Sequence, residues 1–214
     1  MWNPEDSGWQ DRLEAFLDHE ATDGAHDLGH VRRVVATARD LAMAENADLA
    51  IVLAAAWLHD CVAVPKDSPL RSQASRLAAE KAREFLHGQG CPETEIEAIA
   101  HCIEAHSFSA GIEPRTPEAR VVQDADRLEA LGAIGLCRCI ATGERMGRPL
   151  FHPEDPFWED REPDDTRWSL DHLPAKLLRL ETTMHTRAGR AEAGRRTAFL
   201  QTFLEELRRE LPSL

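Results

Sequence analysis

The sequence predicts an all-α fold, and three observations carry that expectation. Apolar residues recur at helical spacing along most of the chain, and no stretch keeps a two-residue alternation bounded by turn signals. The most apolar run, Leu49 to Leu58, is far shorter than the roughly 20 residues that span a bilayer, so it reads as a core helix.

A short helix is expected around residues 7–19. Thr22 or Asp23 can cap a second helix, whose Val31, Val34, Val35, Ala38 and Leu41 form an apolar stripe. The apolar run makes a third, at about 47–60. Ser68 and Pro69 read as N-cap and first turn of a fourth helix that runs to His87 and stops at Gly88. "ETEIEAIAHCIEAHS" is a fifth, ended before Pro114 and Pro117. "VVQDADRLEALGAIGLCRCIAT" is apolar nearly all round and reads as one buried helix. Residues 144–169 carry Pro149, Pro153, Pro156 and Pro163 and seven acidic residues between Glu154 and Asp165, a composition for a loop, either a solvated one or a lid. From 170 to 211 helix returns, with Leu173, Leu177, Leu178, Leu180, Phe199, Leu200, Phe203, Leu204 and Leu207 expected to face a core. One domain over 1–214 is expected, with its core at about 20–140.

The formal charge is −13, from 38 acidic and 25 basic residues, which argues against a nucleic-acid polymer or an anionic membrane as partner. The five cysteines, Cys61, Cys91, Cys102, Cys137 and Cys139, are odd in number and never in CxxC spacing, as expected of reduced thiols. The stretch "MWNPEDSGWQDRLEAF" has no basic or apolar signal region, so a cytoplasmic protein is expected.

Polar groups inside the apolar pattern mark the chemistry. The core run ends in His59-Asp60, and a carboxylate taken out of water needs a hydrogen bond, a counter-charge or a metal. His26 and His30 are four apart, on one face of the helix beginning there, although such a pair taken alone is as well explained by capping or a polar face. Asp124, Asp126 and Glu129 interrupt an otherwise apolar segment, and Arg127 cannot easily neutralise all three. One divalent cation held by two imidazoles and two carboxylates would satisfy His26, His59, Asp60 and either Asp124 or Asp126 together. Helical periodicity leaves both aspartates open.

The order of His26, His59-Asp60 and an aspartate in "DADRL" resembles the HD-domain metal-dependent phosphohydrolases. The wording "WLHD", "PKDSPLRSQAS", "IEAHSFSAGIEP", "VQDADRLEALGAIGL" and "KLLRLETTM" is similar to their YedJ-like branch, from about His26 to Arg209. The resemblance implies a helical bundle with the metal site at its centre. It matches His26 to the first ligand, His59 and Asp60 to the central pair, and Asp126 within "ADRL" to the last, with Asp124 as the alternative.

Two nitrogen and two oxygen ligands suit manganese, iron, magnesium or nickel, with water completing the shell. The implied reaction is metal-assisted hydrolysis of a phosphoester or phosphoanhydride in a small phosphorylated substrate. The relatives suggest a nucleotide or nucleoside triphosphate. Asp27 and His30 are the candidates to orient water or a substrate oxygen. Lys66 and Arg71, near the expected start of the Ser68 helix, are candidate phosphate contacts. His172 and Lys176, four apart, and Arg145 and Arg148 beside the acidic loop are weaker ones. His101 and His106 are candidate substrate contacts, yet five residues apart their side chains diverge by roughly 140° on a helix. If both instead completed a second metal site, the chain would be an HD-type di-iron oxygenase. A non-catalytic nucleotide-binding module is the remaining alternative.

Overall fold

The structure is a computed structural model that describes residues 7–18, 28–64, 68, 70–107 and 110–211. Every regular element among them is helical, in accord with the expected class. The chain divides into two compact units, Met1–Asp126 and Arg127–Leu214.

The first unit is built around a nearly featureless apolar helix. Helices α1 (Ser7–Asp18) and α2 (Leu28–Glu45) precede α3 (Leu49–Leu58), and α4 (Ala74–Gly88), α5 (Glu93–His106) and α6 (Pro117–Leu128) follow it. Asp48 starts α3 by accepting the Ala50 and Ile51 N–H groups at 2.9 and 3.3 Å, two of the donors that a helix start leaves unbonded. Every α3 residue from Ile51 to Leu58 is buried, because α1, α2, α4 and α5 all pack against it. Each large aliphatic side chain enclosed this way contributes roughly 1.5–3 kcal/mol. The α2 stripe of Val31, Val34, Val35, Ala38 and Leu41 is buried as its spacing predicts, and His30 is buried with it. At the surface Arg32 clamps Glu14 at 3.1 and 2.9 Å. Arg83 of α4 holds Glu97 and Glu104 of α5, and Ser75 Oγ donates to the Glu104 carbonyl at 3.0 Å.

Three expected boundaries move. Ser68 does not cap α4: its hydroxyl accepts the Leu70 N–H at 3.2 Å, a single 3-10 turn covers Arg71–Gln73, and the α-helix begins at Ala74. Gly88 lies inside that helix, and the reversal falls at Gly90, whose φ of +72° suits a residue without Cβ. The long buried helix expected over "VVQDADRLEALGAIGLCRCIAT" is two helices, α6 and, in the second unit, α7 (Gly132–Arg145). Leu131 is extended, at φ −114° and ψ 163°, and Gly132 has φ +69°, so the chain turns there. A side chain at Gly132 would also crowd Arg196, 3.2 Å from its Cβ position. Nor is α7 buried all round, since Ile134 and Ile140 are exposed.

In the second unit a loop leads from α7 to α8 (His172–Ala175), a 3-10 segment Leu177–Thr183 and α9 (Arg187–Glu210). The acidic loop begins only after Arg145, because α7 continues through 144 and 145, and it is tied to fully buried Asp171. That carboxylate accepts from Trp158 Nε1 at 2.7 Å, the Asp164 N–H at 2.6 Å and the two terminal nitrogens of Arg161 at 2.5 and 2.9 Å. Leu173, Leu177 and Leu180 are buried as expected and Leu178 is half-buried. On α9 the expected stripe fails. Leu200 is buried, Phe199 is exposed, and Phe203, Leu204 and Leu207 are half-buried.

Candidate metal centre

Three elements of the first unit deliver imidazole and carboxylate groups to one point. His30 comes from the buried stripe of α2, His59 and Asp60 from the end of α3, and Asp126 from α6. His30 Nε2 lies 3.5 Å from Asp126 Oδ1 and 3.9 Å from Asp60 Oδ2. His59 Nε2 lies 3.5 Å from Asp60 Oδ2 and 3.9 Å from Asp126 Oδ1. Ligand atoms of His30, His59 and Asp60 all fall within 4.8 Å of one another.

The protonation pattern explains what this arrangement accepts. His59 Nδ1 is 2.8 Å from the Ala56 carbonyl, so its N–H donates there and Nε2 carries the lone pair. Burial drives His59 down to about 4, against the opposing pull of the Asp60 charge, so the ring is neutral at neutral pH. A neutral imidazole lone pair then faces two carboxylate oxygens. Nε2 is fully enclosed and has no hydrogen-bond partner among the described residues. Acceptors gathered around a buried acceptor call for a cation between them, and N/O donor sets of this kind fit a divalent metal. Asp60 and Asp126 keep 21% and 29% of their side-chain surface while His30 and His59 keep 2% and 0%, so solvent reaches the cluster from the carboxylate side.

His106, the last residue of α5, behaves differently from its neighbour 5.0 Å away, His59. Its Nδ1 sits 2.7 Å from the Ile103 carbonyl and its Nε2 3.6 Å from Asp60 Oδ1. Burial lowers the pKa of this ring, but the hydrogen bond and charge of Asp60, with Asp126, outweigh it and raise His106 above its ordinary value. Asp126 is held well below the usual carboxylate range: burial pushes it up, and the His30 hydrogen bond with the surrounding imidazoles overcomes that. Asp60 thus offers one oxygen to His59 and His30 and the other to His106.

The remaining sequence candidates distribute as follows. Asp126 is the carboxylate brought beside the two imidazoles; Asp124 is fully buried two residues earlier. His26, Asp27 and Lys66 lie outside the described residues, as does the Arg71 side chain. His30, read from the sequence as a group orienting water, stands among the ligand atoms. The signal that finds it is its place on the apolar stripe, one turn before Val34. His101 diverges from His106, accepting the Arg115 N–H at 3.1 Å; burial first, then the Arg115 charge, lowers its pKa. In the second unit His172 pairs with Asp165 at 2.7 Å, and Lys176 follows α8 with φ −138°, so the two share no helix face. Lys176 is exposed there.

Comparison with known proteins places this geometry in context. A family model described as "HD domain" matches residues 27–131. The chain is 31% identical over 206 residues to the protein YpgQ of Bacillus subtilis, covering 94% of this chain and 91% of that one. The crystal structure of Bacillus subtilis YpgQ in complex with ADP superposes with a TM-score of 0.72 at 29% identity, over 95% of this chain and 93% of that one. An HD-superfamily hydrolase from Bacillus thuringiensis gives 0.70 at 32% identity, over 94% and 97%.

Proposed function

The chain belongs to the HD-domain family, and from that membership we propose that it is a metal-dependent phosphohydrolase acting on a small phosphorylated compound, a nucleotide or nucleoside triphosphate above all. The observation that carries the reading is the neutral His59 Nε2 buried against two carboxylates. In this proposal His30, His59, Asp60 and Asp126 hold one divalent ion: manganese, magnesium, iron or nickel. A divalent cation held there supplies Lewis acidity, activating water and drawing charge from a phosphoryl oxygen.

The protein's own groups do the rest. The Ala56 carbonyl fixes the His59 tautomer, so its lone pair needs no reorganisation to serve as a ligand. His106 Nδ1–H donates to the Ile103 carbonyl, and its Nε2 lies 3.6 Å from Asp60 Oδ1. Set beside Asp60, that ring is the group placed to exchange a proton with a leaving oxygen. The nucleotide preference draws support from the ADP complex of Bacillus subtilis YpgQ. A second site shared by His101 and His106, which a di-iron oxygenase needs, is disfavoured because the His101 ring is engaged by Arg115.

The test is a hydrolysis screen of nucleotides and sugar phosphates with each of the four metals, reading phosphate and pyrophosphate release. Metal-dependent release from a nucleotide, lost in His59→Ala, is expected. Metal binding without turnover across the whole panel would overturn the assignment.

A further inference from the structure

Gln123 has no part in the reading above, and its surroundings are unusual for a buried amide. It lies three residues before Asp126 on α6, hence on the same helix face, with 2% of its surface exposed. Its Nε2 donates to the Ala105 carbonyl at 2.5 Å. Ala105 is in the last turn of α5, where carbonyls have no partner within the helix, and the chain becomes extended at Ser107, at φ −78° and ψ 128°. The amide therefore closes the end of α5 at the residue before His106. The opposite orientation would set Oε1 against a carbonyl oxygen, so the donor assignment follows from chemistry. Oε1 itself is enclosed with no hydrogen-bond partner among the described residues.

That bond joins the element bearing Asp126 to the element bearing His106. His101 takes the Arg115 N–H just before α6 begins, and Gln123 holds Ala105 eighteen residues back along the chain, so α5 and α6 are clamped at two levels. His106 is pinned from its own helix by the Ile103 carbonyl. The helix end carrying it is pinned by Gln123.

We infer that Gln123 is a positioning residue of the metal centre: by fixing the α5 terminus against α6 it sets His106 Nε2 on Asp60 Oδ1. The inference rests on the phosphohydrolase reading only for its kinetic consequence. It is tested first on metal-free protein labelled with nitrogen-15, by the imidazole resonances in long-range proton–nitrogen correlation spectra, His106 being assigned from its loss in His106→Gln. In Gln123→Met, which keeps the side-chain length without an amide, the His106 resonances shift or split while those of His59 hold their position. In the same variant Mn2+ affinity stays within about 3-fold of wild type, and kcat falls at least about 10-fold with KM little changed, as for other supporting residues of metal sites. Gln123→Asn, whose amide is one methylene too short to reach Ala105, repeats the effect and decides the matter should the Met variant not fold. His106 resonances that superpose on wild type in either folded variant overturn the inference. Should the wild type hydrolyse nothing, the imidazole spectra still decide it, separately from the proposed activity.

Discussion

Asp171 in the second unit and Asp126 in the first are both anchored inside helical units, yet their surroundings are opposite in kind. Asp171 is met by donors alone: an indole N–H, a backbone N–H and the fork of Arg161, all within 2.9 Å. Asp126 shares its space with a second carboxylate and with imidazole nitrogens no closer than 3.5 Å. The second unit supplies its own counter-charge and closes its loop with it. In the first, the described residues gather two carboxylates and two imidazoles at one point, the donor set of the candidate metal centre. A carboxylate ringed by donors anchors its loop, whereas carboxylates set among imidazole nitrogens form the donor set proposed above for a cation.

Several measurements break or sharpen that contrast. The largest effect is expected from His59→Ala, which abolishes Mn2+ binding in calorimetric titration and with it hydrolysis, whereas Asp171→Asn leaves the titration unchanged. Retained metal in His59→Ala would erase the distinction between the two clusters. Next is Asp171→Ala, which leaves the half-buried Arg161 fork and the Trp158 and Asp164 N–H groups without their acceptor and lowers stability in urea by about 2–3 kcal/mol, regardless of added metal. Asp126→Asn in metal-free protein costs less, about 1–2 kcal/mol, because it gives up the carboxylate's interaction with the neighbouring imidazoles but leaves no guanidinium stranded. Mn2+ at one hundred times its dissociation constant raises wild-type stability by about 2.7 kcal/mol. The increment disappears in His59→Ala.

The pH dependence separates the units further. His59 is lowered from 6.5 to about 4, so the unfolded chain binds the proton more readily between those values. Its contribution is present above pH 6.5 and is lost as pH falls toward 4. Because His106 is shifted the opposite way, the clean measurement is wild type against His59→Leu, whose stability difference shrinks across that window on acidification. In the second unit the Arg195 hydrogen bond and Arg196 hold Glu192 down at about 2 from 4.5. That stabilisation persists until pH drops below 4.5 and fades toward 2, and Glu192→Gln removes this lower window alone. The smallest change is Gly132→Ala, where φ is +69°: about 1 kcal/mol is lost in urea with no effect on metal.

Much of the helical framework is written in local spacing. The α2 stripe and the apolar α3 run each involve residues within one or two turns, and a period of 3.6 is enough to read them. His59-Asp60 is legible for a related reason, since two costly groups directly after a buried run require a partner. The break before Gly132 is hidden, because apolar spacing continues through it and only the backbone angle at one glycine reveals the turn. The exposed Phe199 shows the same limit from the other side: spacing names a stripe without saying whether anything covers it.

The amino-acid order alone thus determined an all-helical chain and a polar cluster of metal-ligand type, because both depend on neighbours a few residues away. Tertiary structure decided that His30 stands beside His59 and the two carboxylates, that Asp60 divides its oxygens between His59 and His106, and that Arg161 closes on Asp171. His30, His59, His106 and Asp126 lie far apart along the chain, and no periodicity reaches across such separations. Only the packing of α2, α5 and α6 around α3 brings their side chains within a few ångströms of one another.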